Sequence, residues 1–132
     1  MNPPKILTVD DSKTIRLLIR RILRPFSVDL YEASNGEEAL EVARQEHPQL
    51  IILDYNMPVM DGVTMLGHLR EDALLKPIPV IMLTAESSSH IIAAVARLGA
   101  RDYLTKPFQS SSLLAKIIKV VPLAPISPDA TP

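Results

Sequence analysis

No cysteine occurs among the 132 residues, which removes disulfide cross-links and thiolate metal sites from consideration. That absence does not by itself fix the compartment. An excess of charge of one sign is also missing: 14 Lys and Arg stand against 15 Asp and Glu, a formal net charge of −1. A chain that grips a nucleic-acid backbone needs a clear basic excess, so that class is set aside. No apolar run is long enough to cross a bilayer, and no basic-then-apolar leader opens the chain. The expectation is a soluble cytoplasmic protein without membrane contact. Met1 lies close to the first apolar run, so no segment is expected ahead of the domain.

What is present fits one domain with a real hydrophobic core: 47% of residues are apolar and 22% charged. Five short apolar runs alternate with amphipathic stretches. The runs are Lys5 to Val9, Val28 to Ala33, Leu50 to Leu53, Pro79 to Leu83 and Tyr103 to Thr105. The third and fourth are almost continuously apolar, as expected of strands covered on both faces. Between and after the runs lie helical patterns at Ser12 to Arg24, Glu37 to His47, Gly62 to Glu71, Ser87 to Leu98 and Ser111 to Val121. The first carries Ile15, Leu18, Ile19 and Ile22 on one stripe, and the last Leu114, Ile117, Ile118 and Val121. Arg16, Arg20 and Arg24 fall on another face of the first helix and read as solvated. Strict alternation of strand and helix predicts an α/β three-layer sandwich, a parallel sheet joined by right-handed crossovers. Residues 122–132 hold four prolines and no periodicity, which reads as a linker or loose tail after a domain spanning 1–121.

In an open parallel sheet, ligands bind outside the carboxyl ends of the strands. The first strand is followed by Asp10 and Asp11, the third by Asp54, the fourth by Thr84 and the fifth by Lys106. The fold therefore delivers three carboxylates, a hydroxyl and an ammonium to one edge. Crowded carboxylates repel, and a bound hard cation with oxygen ligands such as Mg²⁺ relieves that. Lys106 suits a phosphoryl oxygen. In these surroundings Asp54 has the makings of a carboxylate nucleophile able to form an aspartyl phosphate.

The Asp10-Asp11-Ser12 turn, the run from Asp54 through Asn56, Met57, Pro58 and Asp61 to Gly62, the triplet Thr84-Ala85-Glu86, and Tyr103-Leu104-Thr105-Lys106-Pro107-Phe108 together resemble the response-regulator receiver family. The likeness runs from Lys5 to about Val121, and the Thr84-Ala85-Glu86 triplet is similar to chemotaxis-type single-domain members. It implies a flavodoxin-like fold with five helices and strand order 2-1-3-4-5, an order for which a member of this family is a standard example. It implies that Asp54 is the phosphorylated residue, that Asp10, Asp11, Asp54 and the Asn56 carbonyl hold Mg²⁺, and that Lys106 bonds the phosphoryl group across a cis Lys106–Pro107 peptide. It further implies Thr84 and Tyr103 as switch residues, with Asn56 and Glu86 tuning phosphoryl loss. The implied partners are a histidine kinase or phosphotransfer protein and a downstream target protein or output domain, with a homodimer through the fourth-helix, fifth-strand and fifth-helix face as a further option. The implied role is a signalling switch and not an enzyme. An output domain beyond the proline-rich tail is compatible with it.

Other readings compete. Asp11-Ser12 can simply cap a helix, and Asp61-Gly62 reads as a turn and helix start. Met57, Met60 and Met65 read as packing residues, and His47, His68 and His90 as surface residues without ligand spacing. A phosphatase with an aspartate nucleophile, as in the haloacid-dehalogenase group, would need an acid two residues after Asp54, where Asn56 stands. A receiver-like binding module that is never phosphorylated would be expected to have lost acidic residues, and none is lost here.

Overall fold

The computed structural model describes residues 2–57, 60–85 and 88–126. Strands and helices alternate without exception: β1 (Lys5–Val9), α1 (Lys13–Leu23), β2 (Asp29–Ala33), α2 (Gly36–Glu46), β3 (Leu50–Asp54), α3 (Gly62–Glu71), β4 (Val80–Thr84), α4 (Ser89–Arg97), β5 (Asp102–Thr105) and α5 (Ser110–Val120). All neighbouring strands pair in parallel, in the order 2-1-3-4-5. The flavodoxin-like expectation is met. Every residue of β3 and β4 is buried, which is why those two segments read as unbroken apolar runs.

Side-chain alternation splits the core in two. Leu7, Ile51, Leu53, Val80 and Met82 face the helices α2, α3 and α4. Ile6, Leu50, Ile52, Ile81 and Leu83 face α1 and α5. Helix starts are set by side-chain caps: Ser12 accepts from the Ile15 amide, Asn35 from Glu38, Asp61 from Thr64 and Ser88 from Ile91. Helix α4 closes on Gly99 at φ +81°, with Gly99 and Ala100 amides donating to the Ala96 and Val95 carbonyls, a left-handed stop that suits glycine. Met57 and Met65 are buried as packing residues, with Met60 partly buried against the same cluster. His47, His68 and His90 are exposed.

Two apolar stripes differ in detail from the sequence expectation. In α1 the fully buried residues are Ile19 and Leu23, with Ile15 and Ile22 packing at the margin. In α5 they are Leu113 and Ile117, followed by Val121, while Ile118 is 45% exposed. The four-residue step from 113 to 117 to 121 sets the inner face, and Ile118 lies a quarter turn off it. Pro122 to Ile126 also departs from the picture of a loose tail. The Ser27 amide donates to Ala124 O at 2.8 Å and the Ile126 amide to Pro25 O at 3.0 Å. Leu123 packs on the α1/α5 cluster. The pairing uses the carbonyl before Pro125 and the amide after it, so the missing N–H of Pro125 costs no bond. Residues 127–132 lie outside the described residues.

At the end of the sheet opposite the strand carboxyl termini, Arg70 gathers two loops. Its guanidinium donates to Leu98 O at 2.9 Å, to Gly99 O at 3.1 Å and to Lys76 O. Arg70→Met leaves these carbonyls without that donor and is expected to cost about 2 kcal/mol in urea denaturation. In β1, Thr8 is fully buried, and its hydroxyl is the one buried side-chain polar atom among the described residues with no hydrogen-bond partner. Thr8→Val keeps the shape and removes that hydroxyl. It is expected to stabilise the fold by about 1 kcal/mol, read as a higher urea midpoint at unchanged slope.

Candidate functional site

Register brings the strand ends level. Val9 of β1 lies opposite Leu53 of β3, Asp54 opposite Leu83 of β4, and Thr84 opposite Thr105 of β5. The residues that follow must therefore meet at one edge. One carboxylate oxygen from each of Asp10, Asp11 and Asp54 lies within 4.8 Å of the others. Asp10 and Asp54 are buried, each 1% exposed, while Asp11 is exposed. Lys106 reaches in from the end of β5, with Nζ 2.8 Å from Asp54 Oδ1 and 3.2 Å from Asp10 Oδ2.

The two buried acids are also held by backbone. Asp10 Oδ1 accepts the Ser12 amide at 2.9 Å, and Asp54 Oδ1 accepts the Asn56 amide at 3.3 Å. Both Lys106 and Asn56 thus donate to the same oxygen of Asp54. The Lys106 amide donates to Thr84 O at 2.7 Å, which ties the lysine's own backbone to β4. The Lys106–Pro107 peptide is cis, as the family likeness implied. Gly62 lies directly behind Asp54: a Cβ there would sit 2.6 Å from Asp54 O and 2.8 Å from Tyr55 Cα. Asp61 and Gly62 form the expected helix start, and a side chain at Gly62 would in addition displace the backbone that carries Asp54.

Thr84 is buried at 2% exposure, and Tyr103 lies largely outward at 38%. The Asn56 side chain accepts the Ala85 amide at 3.4 Å, joining the loop after β3 to the loop after β4. Glu86, Pro58 and Val59 lie outside the described residues. A cleft of about 490 Å³ runs beside the acidic site rather than at it, lined by Tyr103, Phe108, Ser112 and Lys116 among others.

The charges are unbalanced. Three carboxylates face one ammonium. Burial pushes the Asp54 carboxyl above its ordinary range, and the Asp10 charge adds to this against the pull of the Lys106 bond. Burial draws the Lys106 ammonium down, but its bonds and attraction to Asp54 and Asp10 outweigh that and hold it above the usual lysine value.

The family model described as "Response regulator receiver domain" matches residues 6–118. The chain belongs to the response-regulator receiver family. Among curated relatives, this receiver is 36% identical to "Chemotaxis protein CheY-3" of Vibrio cholerae, an alignment covering 88% of this chain and 90% of the relative. It is 39% identical to "Probable transcriptional regulator ycf27" of Porphyridium aerugineum, over 92% of this chain and 49% of that one. It thus spans about half the length of the latter and nearly all of the former. Among solved structures, the chemotaxis response regulator CheY4 of Vibrio cholerae superposes with a TM-score of 0.84 at 34% identity, covering 90% of this chain and 99% of that one.

The structure gathers Asp10, Asp11, Asp54, Thr84 and Lys106 at the edge where the strand ends placed them. It differs on Arg16. That side chain is not solvated: it is 18% exposed, donates to Asp10 O at 2.5 Å and pairs with Glu32 at 3.4 Å. The signal lay in the spacing, since a helical side chain leans toward the N-terminus of its helix and covers the turn before it.

A carboxyl raised by folding favours the protonated form. Its contribution to stability is therefore greatest below the unfolded value and is lost as pH rises through the folded one. Asp54→Asn is expected to stabilise the metal-free receiver at neutral pH by about 1–2 kcal/mol. The gain shrinks as pH falls through the Asp54 titration, and urea denaturation in a chelating buffer at several pH values measures it.

Proposed function

We propose that this receiver is a phosphorylation switch of a two-component system. Asp54 accepts a phosphoryl group from the phosphohistidine of a histidine kinase or phosphotransfer protein, in a Mg²⁺-dependent step. The reading rests on one observation: a buried carboxylate at a strand end, beside two further carboxylates and bonded by a single lysine.

The donor set suits the ion. It is all oxygen, it is clustered within the reach of one cation, and one ammonium cannot neutralise it. Asp10, Asp11 and Asp54 would hold Mg²⁺ through carboxylates and Asn56 through its carbonyl. Bound there, the ion supplies positive charge for the phosphoryl oxygens. The protein's own groups do the rest. Lys106 and the Asn56 amide fix Oδ1 of Asp54 and thereby orient the carboxylate. An Asp54 oxygen bonds to phosphorus while the donor's P–N bond breaks and the released imidazole takes up a proton. Lys106 then turns to a phosphoryl oxygen, charge-assisted bonds to such groups being among the strongest available. The Thr84 hydroxyl moves to another, and Tyr103 leaves its exposed position for the space beside it. Asn56, bridging to Ala85, and Glu86 set how long the phosphoryl group lasts.

The face of α4, β5 and α5 carries the output, and a homodimer or a target protein docks there. In support of this, Tyr103 and Ile118 are exposed on β5 and α5. A coupling of about 1–3 kcal/mol is enough to bias such an equilibrium without locking it. The relatives are named for chemotaxis in one case and transcription in another, so the target is a separate protein or an attached output domain. No helix among the described residues is long and apolar enough to cross a membrane, and we place this receiver in the cytoplasm as a switch without turnover of its own.

Acetyl phosphate with Mg²⁺ is expected to add the mass of one phosphoryl group to the chain. Asp54→Ala abolishes the gain, and Lys106→Ala slows it by about 10²-fold. Intact-protein mass spectrometry over time decides it: no gain on the wild type, or an undiminished gain on Asp54→Ala, defeats the assignment.

A further inference from the structure

We propose that Arg16 is a positioning residue for the cation site, acting through the peptide that joins Asp10 to Asp11; this rests on the function proposed above. The observation is a chain of contacts that begins on β2 and ends in the acidic pair. Glu32 of β2 lies opposite Thr8 of β1. Its carboxylate holds both Arg16, at 3.4 Å, and Arg20. Arg16 Nη1 in turn donates to the backbone carbonyl of Asp10 at 2.5 Å.

The other polar groups of Asp10 each have a partner. The amide donates to Ala33 O at 3.1 Å, Oδ1 accepts from Ser12, and Oδ2 accepts from Lys106. The carbonyl stands where the β1 ladder has stopped, Val9 being the last paired residue. A backbone oxygen on a residue 1% exposed needs a donor, and Arg16 is that donor. That oxygen belongs to the Asp10–Asp11 peptide plane. Holding it restrains the backbone from which both side chains leave.

Charge alone argues the other way. A guanidinium beside a divalent-cation site repels the ion, and its removal should then tighten binding. The Arg16 charge, however, is taken up by Glu32, so its bond to the Asp10 carbonyl carries little of that penalty. Positioning therefore outweighs repulsion, and the two effects predict opposite signs.

The test is a Mg²⁺ titration of the full chain, followed by backbone amide chemical shifts, with melting temperature in a chelating buffer recorded alongside. Arg16→Met is expected to weaken Mg²⁺ binding about 10-fold, as loss of a group that orients a ligand typically does. Glu32→Gln, which leaves Arg16 in place but releases its anchor, is expected to weaken binding less and in a salt-dependent manner. Should Arg16→Met fail to fold, Arg16→Lys decides alone, since it keeps the charge but has one nitrogen where the guanidinium serves Glu32 and the Asp10 carbonyl at once: weaker binding supports the proposal and unchanged binding overturns it. Unchanged or tighter binding by Arg16→Met overturns the inference and leaves the proposed function standing. A wild-type chain that binds no Mg²⁺ overturns both.

Discussion

One ammonium group holds two buried carboxylates together. Lys106 stands more than ninety positions after Asp10 and more than fifty after Asp54, and the rest of the site depends on its reaching both. Without it, two carboxylates that are each 1% exposed would face each other in a medium that screens charge poorly. With it, the pocket is tolerable but still acidic, and the Asp54 carboxyl stays above its ordinary range because burial outweighs the lysine. The site is thus held part-way between collapse and repulsion. A group that brings positive charge to the carboxylates, or that replaces the lysine's hold on Asp54, changes that balance directly.

The scaffold makes this possible by being apolar and closely packed where the site is polar. β3 and β4 are buried along their whole lengths, so their ends are fixed by packing on both faces. Asp54 and Thr84 are the last residues of those two strands, and Asp10, Asp11 and Lys106 lie just past the ends of β1 and β5. Gly62 shows how closely the parts fit, for only the absence of a side chain lets α3 start against the Asp54 peptide. Site and core meet again at Thr8, a polar residue among the apolar neighbours of β1, two positions before Asp10.

Much of this was legible in the sequence, and for physical reasons. Period and alternation gave the elements, and the rule that ligands gather at strand carboxyl ends gave Asp10, Asp11, Asp54, Thr84 and Lys106. The strand order came from likeness to a family, because periodicity alone does not order strands. What escaped was what depends on side-chain direction or on long-range pairing. Arg16 shares a helix face with Arg20 and Arg24, yet only Arg16 leans back over the loop before it and reaches a carbonyl. Ile118 belongs to an apolar pattern but sits on the wrong side of the helix by a quarter turn. Ala124 to Ile126 lie in a proline-rich stretch whose composition suggests a free chain, while their pairing with Pro25 to Ser27 is non-local.

That pairing has a mechanical consequence. The polypeptide beyond α5 is moored beside the start of β2, at one margin of the sheet, whereas Tyr103 lies on β5 at the other. Four strand spacings separate the two margins, roughly 19 Å at about 4.8 Å each. Tension applied to the chain beyond Ile126 is therefore borne by the α1–β2 turn before it is felt at α5 or the acidic edge.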